Sequence, residues 1–356
     1  RCVGADDLTL SLFENQYPVQ PMGVSYNSYL ILDEKIAVMD SVDARAADEW
    51  LAKLAHELNG RSPDYLVISH MEPDHSGSIL RLAEKYQEMK LVGNTKTFTM
   101  LRQFFGAKAP TDDRLLEVGE GETLPLGAHT LHFMLAPMVH WPEVMVAYEE
   151  TEKLLFSADA FGRFGALSRT AGAPWAPQAR RYYYNIVGKY GAQVQALLKK
   201  ASALEIKTVC PLHGPVLTGE ALGEALRLYD LWSRWQSESP DDILLAHASI
   251  HGNTARAAEL FKQKLEAKGA RVTLCDLTTT EVSYAVANAF CCGKLVLACS
   301  TYDGGLFPPM EEFLSHLQAK GFRDRSVGLM ENGSWAPAAA RLMRAKLEEM
   351  KDLRVC

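Results

Sequence analysis

Six consecutive positions of this chain hold four groups able to bind a metal: His70, Glu72, Asp74 and His75, in the run Ser69-His70-Met71-Glu72-Pro73-Asp74-His75-Ser76-Gly77-Ser78. They follow Tyr65-Leu66-Val67-Ile68, an apolar run that reads as a buried strand. The pattern demands a strand that ends in a ligand-bearing loop, with Ser76 placed to cap the helix expected next. One metal seldom draws four ligands from so short a loop, whereas two metals do. Two imidazoles with two carboxylates suit iron or manganese better than an all-histidine set would.

Three further positions extend the set. His140 comes after an apolar, strand-like segment, in Ala136-Pro137-Met138-Val139-His140-Trp141-Pro142. Asp159 follows Leu154-Leu155-Phe156-Ser157-Ala158, and His213 follows Thr208-Val209-Cys210-Pro211-Leu212 and precedes the turn signal Gly214-Pro215. Taken singly, His140 reads as a structural histidine, Asp159 as a helix cap and His213 as a turn residue. Taken with the H-x-E-x-D-H cluster they read as one metal site. His56, His129, His132, His247 and His316 have no such company and read as surface or packing residues.

This arrangement resembles the metallo-β-lactamase-like core of the flavodiiron proteins (A-type flavoproteins). Hydrolases of that superfamily carry a third histidine in the opening motif and bind zinc; here Glu72 holds that place, which favours iron. The resemblance implies that His70, Glu72 and His140 hold one non-haem iron, that Asp74, His75 and His213 hold the other, and that Asp159 bridges them. In some members the residue at the His75 position stays off the metal. The likeness spans roughly residues 8–356, including Gly23-Val24-Ser25-Tyr26-Asn27-Ser28-Tyr29, Ala160-Phe161-Gly162 and Arg180-Arg181-Tyr182-Tyr183-Tyr184-Asn185-Ile186. One departure is Met22, where some members have a histidine near the diiron pocket.

The C-terminal part carries a second signal. After the polar stretch Ser237-Glu238-Ser239-Pro240-Asp241-Asp242 come an apolar strand, Ile243-Leu244-Leu245-Ala246-His247-Ala248, and a small loop, Ser249-Ile250-His251-Gly252-Asn253-Thr254. A helical pattern then runs over about 255–268. Strand, small polar loop and helix make a phosphate cradle from backbone N–H groups and the Ser249 and Thr254 hydroxyls, without a lysine. Strand-like runs recur at 271–277, 295–300 and 326–331 with helical stretches between, the order of a doubly wound parallel sheet. Two more loops fall at strand ends: Ser300-Thr301-Tyr302-Asp303-Gly304-Gly305-Leu306-Phe307 and Asn332-Gly333-Ser334-Trp335. Each joins small residues to an aromatic that can stack on a flat ring. The three loops resemble those of flavodoxin and imply FMN, with His251 bordering the phosphate or the flavin.

The expected fold is therefore α/β, in two domains. Residues 1–240 form a metallo-β-lactamase-like αββα sandwich and 241–356 a flavodoxin-like doubly wound parallel sheet. In the sandwich, Asp43 is expected to cap a helix carrying Ala47, Trp50, Leu51, Leu54, Ala55 and Leu58 on one face, stopped by Gly60. The irregular stretch 161–175 reads as a pocket wall, and Tyr182 to Tyr184 as a core cluster with one ring directed at the metals. The chain closes on Leu353-Arg354-Val355-Cys356, a fifth flavodoxin strand without its helix, so a longer C-terminus is expected, and trimming before Arg1 as well. At 356 residues, 47% of them hydrophobic, two cores are affordable. A net charge of −7 without a basic run argues against nucleic acid. No apolar run reaches the roughly 18 residues of a membrane span. Seven cysteines without C-x-x-C spacing point to reduced thiols in a cytoplasm, and to no rubredoxin module here.

The resemblance implies reduction of O2 to water, of NO to N2O, or of both, with FMN relaying electrons from an external carrier such as rubredoxin. It also implies a head-to-tail homodimer, or a dimer of such dimers, in which each FMN faces the partner's metals. Two other classes compete. A zinc or manganese hydrolase with an accessory flavodoxin domain is opposed by Glu72, and an electron carrier with an inert metal site by the complete ligand set.

Overall fold

The computed structural model describes residues 1–356. The chain forms two compact units, the first made of Arg1–Tyr182 with Ala192–Arg227, the second of Tyr183–Gly191 with Leu228–Cys356. No helix is long and apolar enough to cross a membrane.

The first unit is a sandwich of two sheets. One has five strands in the order Tyr29–Ile31, Ala37–Met39, Tyr65–Val67, Lys90–Gly93, Leu115–Glu117. Its first pair is antiparallel and the rest are parallel. Parallel neighbours need long crossovers, and helices Ala47–Leu58, Ile79–Lys85 and Thr95–Phe105 lie in them. The other sheet runs Thr123–Pro125, Thr130–Leu135, Met145–Glu149, Leu154–Phe156, Thr208–Cys210, Leu217–Thr218. Between the sheets Met39, Val67 and Val92 meet Phe133, Met145, Ala147 and Phe156. No helix side chain enters that core, so the helices pack on the outer faces. Val38, Leu66 and Leu91 are fully buried too, which is why these short strands read as unbroken apolar runs.

Three local expectations need correcting. Ser76 caps nothing: it ends the short helix Pro73–Ser76, and its hydroxyl donates to Met71 O. Helix Ala47–Leu58 is stopped by Asn59 in the left-handed region (φ 47°) rather than by Gly60, because an asparagine tolerates that conformation. Asp43 does accept from Arg45 N, but it caps the 3-10 turn Ala44–Ala46 that leads into the helix.

The second unit is a parallel sheet in the order Val272–Asp276, Ser239–Ala248, Cys292–Tyr302, Ser326–Asn332, Arg354–Val355. In chain order this is 2-1-3-4-5, the flavodoxin arrangement. The polar stretch 237–242 is no free linker, since the first strand begins at Ser239 and shifts register before Ile243. Residues 183–191 and 228–233 belong to this unit: Tyr184 stacks on Phe290 with ring centroids 4.1 Å apart, and Tyr183 packs on Trp232 and Tyr229.

Candidate metal centre and flavin cavity

The metal-binding candidates leave strand ends on both sheets of the first unit. Tyr65–Val67 leads to His70, after which Glu72 precedes the turn Pro73–Ser76 that carries Asp74 and His75. Leu154–Phe156 and Thr208–Cys210 are parallel neighbours, so Asp159 and His213 emerge side by side. A Cβ on Gly162 would lie 3.0 Å from Asp159 O and 3.2 Å from the Tyr182 ring, tighter than ordinary contact, so glycine lets that loop pack closely beside the site. His140 sits in the connection between Thr130–Leu135 and Met145–Glu149, and Met145 N donates to Ser69 O at 3.1 Å, joining that connection to the ligand loop.

All seven residues converge. The ligand atoms of His70, Glu72, His140 and Asp159 lie within 4.8 Å of one another, and so do those of Asp74, His75 and His213. Asp159 stands between the groups. Its Oδ2 is 3.0 Å from His140 Nε2 and 3.4 Å from His70 Nε2, while Oδ1 is 3.1 Å from His75 Nε2 and 3.6 Å from His213 Nε2. The Nε2 atoms of His75 and His213 face each other at 3.1 Å. Both oxygens of Asp74 and Oδ1 of Asp159 are buried without a hydrogen-bond donor. Buried anionic oxygens in that state are costly unless a cation satisfies them. The set therefore fits a pair of metal ions, and its mixed oxygen and imidazole donors fit iron.

Electrostatics agree. Burial by itself would lower the histidines, but Asp74 and Asp159 outweigh it and raise His75 to about 9. Hydrogen bonds to the Asp159 and Glu72 carboxylates do the same for His140. Burial works against ionisation of Asp159, yet the surrounding imidazoles hold its carboxyl well below the usual range. A metal must displace those protons, so loading releases them and weakens as pH falls.

Two supporting residues, Glu143 and Asp40, were not legible in the sequence, and two more, Ser25 and Asn27, lie in the run 23–29, which carried the family likeness but no assigned role. Glu143 is fully buried; its Oε1 takes Met71 N at 2.8 Å and lies 2.7 Å from His70 Nδ1, which orients that ring with Nε2 towards Glu72 and Asp159. Asp40 accepts from Ser69 N and His70 N, and burial pushes its carboxyl up to about 6. Ser25 O receives His213 Nδ1 at 2.7 Å, and Asn27 Nδ2 donates to Pro211 O and Gly214 O. The one available signal was an acid three positions after His140, just before a strand. Glu143→Ala should lower iron affinity about 10–100-fold with the fold kept, as measured by metal competition; unchanged affinity would remove Glu143 from the site.

Aromatic rings close the centre. Trp141 meets His70 edge-on at 5.3 Å, and Phe13 and Tyr182 lie 5.4 and 5.5 Å from the His213 ring. Of the three tyrosines, Tyr182 is the one that reaches the metal side; Tyr183 and Tyr184 pack in the second unit. Beside the centre a cavity of about 520 Å³ is lined by Phe13, Glu14, Tyr26, Arg45, Glu72 and Asp74 among others. Burial and the Glu72 carboxylate raise the Glu14 carboxyl to about 7.

In the second unit the three small-residue loops meet around a cavity of about 550 Å³. Ser249, Ile250, His251, Asn253 and Thr254 line it, with Ser300 to Gly304 and Asn332 to Trp335. Gly252 lies behind the lining at the helix start with φ 85°. Gly305, Leu306 and Phe307 are not on the wall, and Phe307 instead supports the Tyr302 ring at 5.6 Å. Thr254 and Ser300 hydroxyls bond at 2.7 Å, and Asn332 Nδ2 donates to Thr254 Oγ1. The Ser249 hydroxyl is buried without a partner beside the N-terminus of the 14-residue helix Asn253–Glu266, as a phosphate acceptor would require. Trp335 is 82% exposed and Tyr302 half-exposed at the mouth, where a flat ring could stack. These features fit FMN.

Comparison with known proteins agrees with this geometry. The family model described as ODP family beta lactamase matches residues 24–214. The rubredoxin-oxygen oxidoreductase of Megalodesulfovibrio gigas is 27% identical over 98% of this chain and 87% of its own. The nitric oxide reductase of Moorella thermoacetica is 26% identical over 98% of this chain and 88% of its own. The crystal structure of the flavodiiron protein from Giardia intestinalis superposes with a TM-score of 0.90 at 26% identity, covering 99% of this chain and 89% of that one. With over half its length matched by the family model and nearly all of it by these relatives, the chain belongs to the ODP family beta lactamases, and among them to the flavodiiron proteins.

Proposed function

We propose that this protein is a flavodiiron oxidoreductase that reduces O2 to water, NO to N2O, or both, with electrons from an external carrier such as rubredoxin. The observation that carries the reading is the convergence of seven imidazole and carboxylate ligands in two groups, with one oxygen of Asp159 facing each. His70, Glu72 and His140 would hold one iron, Asp74, His75 and His213 the other, and Asp159 would bridge. When bound, the iron pair supplies gas binding and two electrons, and FMN the one-electron relay.

The chain's own groups do the rest. Glu143 and Ser25 O fix the tilt of His70 and His213. Trp141, Phe13 and Tyr182 pack against the imidazoles of His70 and His213 and shield them from bulk water. Water formation consumes a proton for every electron, and the cavity that reaches Glu72 and Asp74 gives those protons a polar entrance past Glu14, Tyr26 and Arg45. On the flavin side Ser249, Thr254 and the helix N-terminus would take the phosphate, Tyr302 and Trp335 the ring.

The assembly we infer is a head-to-tail homodimer. Exposed apolar residues rim both cavities, Leu12 at the metal side and Ile250, Tyr302 and Trp335 at the flavin side, and a second copy would cover them. Seven cysteines without C-x-x-C spacing support a reducing cytoplasm. A hydrolase reading has no comparable support, because Glu72 joins the cluster as an additional anionic oxygen. Turnover of each gas by iron- and FMN-loaded protein, with oxygen excluded from the NO assay, tests the reading.

A further inference from the structure

We propose that Thr301 and Glu331 are positioning residues of the flavin cavity: from two strand ends they cap the helix that follows the Trp335 loop, and so fix that loop at the cavity. The inference rests on the FMN reading above and adds to it a pair of residues that act through the loop.

Helix Ala339–Glu348 begins without a cap of its own. Its N-cap position is Ala338, which has no side-chain oxygen, and the run Pro337-Ala338-Ala339-Ala340 offers none nearby. The first amides of a helix have no acceptor within it and need one from elsewhere. Here two neighbouring strand ends supply it. The Thr301 hydroxyl accepts from Ala338 N at 2.9 Å and from Ala339 N at 3.2 Å, and the Glu331 carboxylate accepts from Ala340 N at 3.0 Å. Thr301 and Glu331 lie on the parallel strands Cys292–Tyr302 and Ser326–Asn332, whose last paired positions are Ser300 and Asn332. An acid at a helix start also suits the partial positive charge there.

Between Asn332 and the helix runs the loop that carries Trp335. Asn332 Nδ2 donates to Thr254 Oγ1 at 3.3 Å, which ties the loop's start to the phosphate cradle, and Thr301 ties its end. The two ends meet at Gly333, where a Cβ would stand 3.2 Å from Pro337 and 3.3 Å from Thr301 Oγ1. Thr301 is itself held by a hairpin in which it pairs with Leu306, and Tyr302 with Gly305. Tyr302 and Trp335 both line the cavity. One hydroxyl thus couples the two segments that bring aromatic rings to it. Glu331 is not on the cavity wall, so what it contributes to flavin binding passes through the helix start.

The test is titration of the flavin-free, full-length protein with FMN and with riboflavin, read by quenching of flavin fluorescence. Visible circular dichroism of the bound flavin and the thermal midpoint of the flavin-free protein are measured alongside. Thr301→Val keeps the shape and loses the acceptor. It should weaken FMN and riboflavin by the same factor, about tenfold, and change the flavin's circular dichroism. Thr301→Ser keeps the hydroxyl and should stay within about twofold of wild type. Glu331→Ala should weaken both flavins about threefold with the same spectral change, and Glu331→Gln, whose amide oxygen still accepts, should restore them. The Glu331 pair decides the matter if Thr301→Val does not fold. Ser249→Ala marks the other end of the cofactor: it should weaken FMN but not riboflavin, which has no phosphate. Wild-type binding of both flavins by Thr301→Val and Glu331→Ala would overturn the proposal and leave the FMN reading intact. A loss in Thr301→Val without one in Glu331→Ala would overturn it too, since Thr301 would then act on the flavin directly. So would a lowered midpoint with flavin affinity and spectrum unchanged, which is a role in folding alone. A wild-type chain that takes up no FMN would defeat the FMN reading itself, and this inference with it.

Discussion

Asp159→Ala is expected to reduce gas turnover by roughly 10³-fold or more, equivalent to about 4 kcal/mol of lost stabilisation. No other side chain can replace it. Asp159 is fully buried, each of its oxygens faces a different group of ligands, and the other carboxylates in the cluster, Glu72 and Asp74, each belong to one group alone. Without the bridge, two cations a few ångströms apart repel each other unshielded among four imidazoles, so iron content should drop to one ion per chain or fewer. The fold should persist, because the strand carrying Asp159 is held by its pairing with Thr208–Cys210 and Met145–Glu149 rather than by the carboxylate. Iron analysis and turnover on the same preparation check this. A variant that keeps two irons and near-normal rates would remove Asp159 from the centre.

The second large effect is a gain. Asp159→Ala and the double variant Ser249→Ala, Thr254→Ala should each be nearly inactive alone, the first for want of its metals and the second for want of FMN. If each flavin serves the metals of the partner, mixing the two restores activity. Random exchange makes about half of the dimers mixed, and one of the two composite sites works in each, so about a quarter of the wild-type rate should return. Mixed dimers that form and stay inactive, or a demonstrably monomeric sample at full rate, would refute the composite site.

What could be read from the sequence divides along physical lines. The seven candidate ligands were legible as a group because a metal site concentrates histidines and carboxylates just past apolar strands, and buried parallel strands such as Tyr65–Val67 announce themselves as apolar runs. The flavin loops were legible for the same reason, as small residues recurring at successive strand ends. Glu143 was not, because a lone acid before a strand looks like a solvated residue until His70, 73 positions earlier, is brought to it. The packing of Tyr183, Tyr184 and Trp232 with the second unit was equally hidden: Phe290, on which Tyr184 stacks, lies far along the chain, and nothing in the local pattern separates these aromatics from the core of the first unit. Ser76 was misread because its hydroxyl turns back to Met71 O inside the ligand loop instead of starting a helix.

The central claim is that iron and flavin in this chain together reduce a diatomic gas. It is tested most directly by loading the full-length protein with iron and FMN, reducing it without oxygen, and mixing it rapidly with O2 or with NO while following flavin absorbance. The account predicts iron at two per chain, flavin reoxidation by at least one of the gases, formation of water or N2O, and loss of that reoxidation in Asp159→Ala with FMN still bound. Zinc in the centre with hydrolytic turnover, or a fully iron- and FMN-loaded protein whose reduced flavin is reoxidised by neither gas any faster than free FMN, would contradict it.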